Sequence, residues 1–371
     1  MGSRWAFFIL SALALVGCTV TKPIIKIGLV APFEGLYRDV GYNALYAVKL
    51  AVREWNEAGG VEGYMVELVA LDDSGEPDQA PGQASELILD PLVMGAVGHF
   101  DDQTTLAASP LYQEGGLALI APAVTAGGLE NYPSVFRLGA SEEGLGRAAA
   151  LFAREELGAH RLAVLSLQDP VPQVPKGSRG RSRGMGDEGS GLTQAFVSAA
   201  QELGATVLSH QDVDHLEKGF DLVFFGGRSW EGATLLLRLR EAGIETPLMG
   251  GFDSPHLAKW AGEAAEGTFY VTSGLLVDDP RFTADYRELA GTDPGPRAAL
   301  AYDAAHLLLA ALEKAIENDG RPTREGVLAA LHQAYQGLTG PIAFDERGKQ
   351  IDPPIQVYMI DESGYPGKRL K

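Results

Sequence analysis

Short apolar runs and helical periodicities alternate along most of this chain. Residues Ile24 to Val30 form a near-continuous apolar stretch, the pattern of a strand covered on both faces of a parallel sheet. Leu45, Val48, Val52 and Trp55 then recur at three- and four-residue spacing, which predicts a helix ended by Gly59-Gly60. Further strands are predicted at Tyr64 to Leu71, Leu92 to Val97, Leu117 to Ala121, Arg161 to Leu167, Leu222 to Phe225, Leu248 to Gly250 and Thr268 to Thr272. Most are separated by helical stretches, including an amphipathic helix from Leu192 to Leu203. Ala298 to Ile316 is longer and more apolar, so it should pack on two sides, and a last strand is expected at Gln356 to Ile360. This order is the signature of doubly wound α/β layers.

Two segments break the rhythm. Asp169 to Gly191 is rich in proline and glycine and carries the basic cluster Lys176, Arg179, Arg181 and Arg183; with no apolar face to bury, it reads as a mobile loop. His210 to Gly219 joins two apparent strands in about ten residues, whereas a parallel crossover usually needs a dozen or more. Either the strand around Ala205 to Ser209 is marginal or a helix has been lost.

The N-terminus stands apart. Arg4 precedes the apolar run Trp5 to Val16, which is too short to span a bilayer and ends in Leu15-Val16-Gly17-Cys18. The pattern resembles a bacterial lipobox, cut before the cysteine whose thiol is then lipidated; a plain signal peptide or an uncleaved anchor is the alternative. The expected layout is a signal peptide at 1–17, a tether at 18–23 and an exported protein held on the outer side of the cytoplasmic membrane. Cys18 is the only cysteine in the chain, so no intrachain disulfide is possible.

Composition narrows the function. The chain is 46% hydrophobic with a formal charge of −19. That balance argues against a nucleic-acid partner, which needs concentrated Lys and Arg. Gly180-Arg181-Ser182-Arg183-Gly184 has nucleophile-elbow spacing, but that motif works only on a strained strand-to-helix turn and here lies in the loop segment. His210, Asp212, Asp214 and His215 match a metal cluster no better than an exposed connection. No phosphate-cradling loop or dinucleotide fingerprint is evident, so no cofactor is expected and a binding module fits better than an enzyme.

Four stretches in order carry a family resemblance: "IKIGLVAPFEG", "AVREWNEAGGVEGYMVELVALDD", "GGLALIAPAVTA" and "LTGPIAFDERGK". Together they resemble the substrate-binding proteins of branched-chain (Leu/Ile/Val-type) amino acid ABC transporters, with a type I periplasmic-binding fold. The resemblance implies two doubly wound Rossmann-like lobes joined by three hinge crossings. Lobe 1 would hold 24–138 and 273–338; lobe 2 would hold 139–272 and 341–371. A small ligand would lie between them, and ABC permease subunits would read the closure. The alternative on the same fold is a sensor of an amide-like or cationic ligand that acts through a signalling partner.

The resemblance also implies site residues. In "GHFDDQTT" Asp102 stands where the family has a serine that holds the ligand carboxylate. The second binding loop keeps Thr125, after Ala123, where the family uses backbone and hydroxyl groups. Tyr37 is the aromatic of the first loop, Trp230 replaces a family tyrosine, and Asp253 falls near the acid that meets the ligand ammonium. Asp101 and Asp102 also precede a helix, so one of them is a candidate N-cap. A ligand carboxylate about 4 Å from Asp102 would be opposed by roughly 4 kcal/mol at an effective dielectric of about 20, about a thousandfold in affinity.

Overall fold

The first strand, β1 (Ile24–Ala31), is apolar because it is covered on both faces and paired on both edges. It runs parallel to β2 (Met65–Asp72) on one side and β3 (Val93–Val97) on the other. With β4 (Ala118–Pro122) and β5 (Val135–Leu138) they form a wholly parallel sheet in the order β2-β1-β3-β4-β5. The computed structural model describes residues 22–122, 124–165, 190–213, 216–252, 254–274 and 277–371. Cys18, Ala123, Asp253 and nearly all of the Asp169 to Gly191 segment therefore lie outside the described residues.

Helices α1 (Arg38–Glu57), α2 (Ala80–Leu89) and α3 (Asp102–Glu114) connect these strands. The chain then crosses to a second sheet through α4 (Glu142–Glu155). That sheet takes in β6 (Arg161–Leu165), β7 (Thr206–His210), β8 (Leu222–Phe225), β9 (Leu248–Gly250) and β10 (Phe269–Thr272). Its helices are α5 (Ser190–Glu202), α6 (Ser229–Glu241) and α7 (His256–Ala261). From β10 the chain returns to the first sheet with α8 (Pro280–Ala290), α9 (Ala298–Asp319), α10 (Arg324–Ala330) and the hairpin β11 (Tyr335–Gly337)–β12 (Gly340–Ile342). A third crossing delivers β13 (Gln356–Asp361) and β14 (Gly364–Arg369), which extend the second sheet antiparallel in the order β14-β13-β10-β9-β8-β6-β7.

The long helix α9 is buried around most of its circumference. It packs against α1, α10 and strands β3 and β4, which explains why its sequence lacks a clear polar face. In the crowded connection, β7 does form at the sheet edge, parallel to β6, and β8 lies on the other side of β6. The strand is thus present, and residues 211–221 carry no helix among the described positions. Val213, Leu216 and Phe220 are buried there and cover the sheet face instead, with the Arg161 guanidinium 4.7 Å over the Phe220 ring.

The crossings are tied to one another. Arg137 N–H donates to Gly348 at 2.7 Å, Gln350 N–H to Arg137 at 3.2 Å, and Gly139 N–H to the Gln350 side chain at 2.8 Å. Buried Asp303 accepts from the backbone N–H groups of Leu338 and Thr339 at 2.7 and 2.8 Å, and so anchors the hairpin that leads into the third crossing.

Candidate ligand cleft

Both sheets place loops at the carboxyl ends of their parallel strands, where open α/β sheets bind ligands. The loops face each other across a cavity of about 160 Å³. From the first sheet come Pro32 and Tyr37 after β1, Gly75 after β2, Phe100 to Asp102 after β3, and Thr125 after β4. From the second come Gly226 to Ser229 after β8, Gly251 and Ser254 after β9, and Thr272 and Ser273 at the end of β10.

The two adjacent acids have separate roles. Asp101 is the N-cap of α3, in extended conformation, accepting from Gln103 N–H at 3.0 Å and Thr104 N–H at 3.3 Å. Asp102, the first helical residue, reaches across to the next loop. One carboxylate oxygen accepts the Thr125 N–H at 2.7 Å and the other accepts the Thr125 hydroxyl at 2.9 Å. The turn that delivers them needs Gly98: its φ is +132°, and a Cβ there would lie 2.2 Å from the Val30 carbonyl oxygen.

Tyr37 spans the cleft. Its ring meets His256 edge-on at 5.8 Å, and the Arg228 guanidinium lies 5.9 Å from the ring centre with Nη1 3.5 Å from the hydroxyl. His256 is in turn held by the Ser254 hydroxyl at 3.1 Å. A second bridge joins Glu142 N–H to the Thr125 carbonyl at 3.0 Å.

Trp230 is placed elsewhere. Its side chain is buried in the second lobe, its ring 6.4 Å from that of Trp260, and it is absent from the cavity wall. Arg228, the N-cap of α6, and Ser229, its first residue, line the cavity instead. The structure thus brings Tyr37, Asp102 and Thr125 together, while Ala123 and Asp253 lie outside the described residues.

Three charged residues of the cleft were not singled out from sequence: Glu142, Arg228 and Arg297. Burial pushes the Glu142 carboxyl above the usual range and the neighbouring Asp102 adds to the effect, while a hydrogen bond from the Leu192 backbone opposes it. Gly191 makes room for that carboxylate, since a Cβ there would lie 2.1 Å from Glu142 Oε2. Asp101 is likewise raised, by burial first, with Arg228 opposing and Asp102 reinforcing. Behind this wall Arg137 is 4% exposed and donates to the Ala126 carbonyl at 3.0 Å. Burial lowers its pKa, and the nearby Glu130, Asp102, Asp345 and Glu142 oppose that shift. The signal for Glu142 was present in "ASEEG", where Ser141 caps α4 and places the next acid at the cleft.

Beneath the first lobe's loops lies a fully buried pair. His99 Nδ1 is 2.6 Å from Asp73, whose other oxygen accepts the Gly75 N–H at 2.9 Å, and His99 Nε2 faces the Tyr112 hydroxyl at 3.4 Å. Among the described residues no group of three or more His, Cys, Asp or Glu side chains is arranged to hold a metal ion.

A cavity closed by strand-end loops from two lobes, with three chain crossings behind it, defines a two-lobed α/β binding protein. Residues 24–365 match the family model described as periplasmic binding protein, and the chain belongs to that family. It is 26% identical over 370 residues to the leucine-, isoleucine-, valine-, threonine- and alanine-binding protein of Pseudomonas aeruginosa, covering 94% of each chain. It is 24% identical over 350 residues to the Leu/Ile/Val-binding protein of Escherichia coli K12, covering 87% of each. Among solved structures, an ABC transporter substrate-binding protein from Desulfitobacterium hafniense in complex with Leu superposes with a TM-score of 0.78 at 25% identity, over 93% of this chain and 99% of that one.

Proposed function

We propose that this protein is an extracytoplasmic solute-binding protein, lipid-anchored at Cys18, that delivers an amino acid or a related small polar ligand to an ABC importer. The observation that carries this reading is the cavity lined by strand-end loops of both lobes. Residues 24–138 with 273–338, and 139–272 with 341–371, would act as the two closing bodies. Ligand contacts made to both at once favour the closed arrangement, which the permease distinguishes from the open one. The names of the Pseudomonas and Escherichia relatives support an amino-acid-like ligand. Tyr37, Thr125 and Asp102 are the wall residues assigned to contact it, with Ala123 and Asp253 assigned by resemblance alone.

Two experiments test this. A thermal-shift panel of amino acids, their amides and small amines should raise the melting temperature with at least one compound, and scattering should report compaction on binding. A panel without a single binder would overturn the function. For the anchor, Cys18→Ala should release the protein from the membrane fraction or stall its processing; normal cleavage with membranes still retained would exclude lipidation at this residue.

A further inference from the structure

Thr125 presents two hydrogen-bond donors at the cleft, its backbone N–H and its hydroxyl. Both are taken by the carboxylate of Asp102, at 2.7 and 2.9 Å. Asp102 is not needed to start α3, because Asp101 accepts the first free N–H groups of that helix. Its carboxylate instead holds Thr125 and lines the cavity together with it.

Such an arrangement has a defined chemical consequence. A carboxylate brought to this end of the cavity finds no open donor on Thr125 and meets a fixed acid, an opposition worth on the order of a thousandfold in Kd. What Asp102 itself still offers is acceptor capacity. A carboxylate provides about four lone-pair sites, and Thr125 uses two of Asp102's. Glu142, on the facing lobe, is a second acceptor at the same cavity.

We infer that Asp102 is the specificity-determining residue of the cleft: by filling both donors of Thr125 it rejects ligand carboxylates at that end and selects small ligands that bring N–H donors there. Ammonium and primary amide groups share this chemistry. The inference rests on the solute-binding reading and narrows it, since an amino acid bound here would have to turn its carboxylate elsewhere.

The test compares matched probe pairs, so that side-chain fit cancels: glycine with glycinamide, alanine with alaninamide, leucine with leucinamide. Calorimetric titration of the full mature chain should give amide-over-acid preferences of a hundredfold or more. Asp102→Ser, which frees the Thr125 donors and removes the charge, should lower the Kd of the acids by a hundred- to a thousandfold. Asp102→Asn, which keeps an acceptor for Thr125 and guards against a folding defect, should fall between. Tighter binding of the free acids by the unmutated protein, or an acid-to-amide ratio that Asp102→Ser leaves unchanged, would overturn the assignment while leaving the solute-binding function standing. Failure of every probe to bind either protein would remove both.

Discussion

Replacing Asp73 with alanine is expected to be among the most costly single changes in the first lobe, although Asp73 touches no ligand. The side chains of Asp73 and His99 are 1% and 0% exposed and 2.6 Å apart. With His99 Nδ1–H donating to Asp73, Nε2 accepts from Tyr112, so each polar atom of the cluster has a partner. Asp73→Ala strips the acceptor from both His99 and the Gly75 N–H. That leaves the buried His99 N–H and the half-buried Gly75 N–H without their acceptor, at about 1–3 kcal/mol each. At about 2–4 °C per kcal/mol for a folding unit of 150–250 residues, melting should fall by roughly 4–24 °C. Asp73→Asn keeps one carbonyl acceptor and should cost about 1–3 kcal/mol. The double replacement Asp73→Leu with His99→Leu removes both buried polar partners and should be less harmful than Asp73→Ala alone, a non-additivity expected of contacting residues. Calorimetric melts of the four proteins decide the matter. An Asp73→Ala melt within about 2 °C of the parent would refute the reasoning, since that shift corresponds to no more than about 1 kcal/mol.

Two further perturbations probe the cleft. Tyr37→Ala removes the ring lying between Arg228 and His256, so closure should weaken and Kd rise by about three- to tenfold, from a cation–π contact of roughly 0.5–1 kcal/mol plus lost edge packing; unchanged affinity would show that Tyr37 does not latch the lobes. Asp101 and Glu142 are both raised by burial, so each takes up a proton above the ordinary carboxylate range as pH falls. An amine-bearing probe favours their charged forms, so its affinity should weaken as pH is lowered from 7.5 to 5, with protons released on binding; stronger binding at pH 5 would contradict the assignment.

The architecture was legible because its determinants are local. Buried parallel strands such as β1 and β3 must be apolar on both faces, and helices such as α1 must keep a 3.6-residue stripe. β14 was not legible, since Gly364, Pro366, Gly367 and Lys368 carry no alternation and the strand depends on antiparallel pairing to β13. The crowded link after β7 was recognised as anomalous, but only tertiary packing of Val213, Leu216 and Phe220 decides between a marginal strand and a lost helix. At the site, residue type was readable and direction was not. Asp101 and Asp102 are neighbours with the same chemistry, yet one turns back to cap its helix and the other crosses to Thr125. Trp230 followed the opposite course: the helix phase of α6 carries it inward and leaves Arg228 at the cavity.

The bridges across the cleft bear on affinity as much as the wall chemistry does. Tyr37 with Arg228 and His256, and Thr125 with Glu142, join loops of the two lobes directly. Any stabilisation they give the closed form raises the fraction competent to bind, and the apparent Kd falls in proportion to that fraction. In the proposed function the same contacts would work against discrimination by a permease, because a closed form populated without ligand would carry no message. A ligand can move the equilibrium only by its differential affinity for the two arrangements. On the proposed reading the acceptors of Asp102 and Glu142, which line the same cavity, would supply that difference, since an N–H donor between them would join groups that otherwise repel. In that reading closure would then be conditional on cargo of the right chemistry.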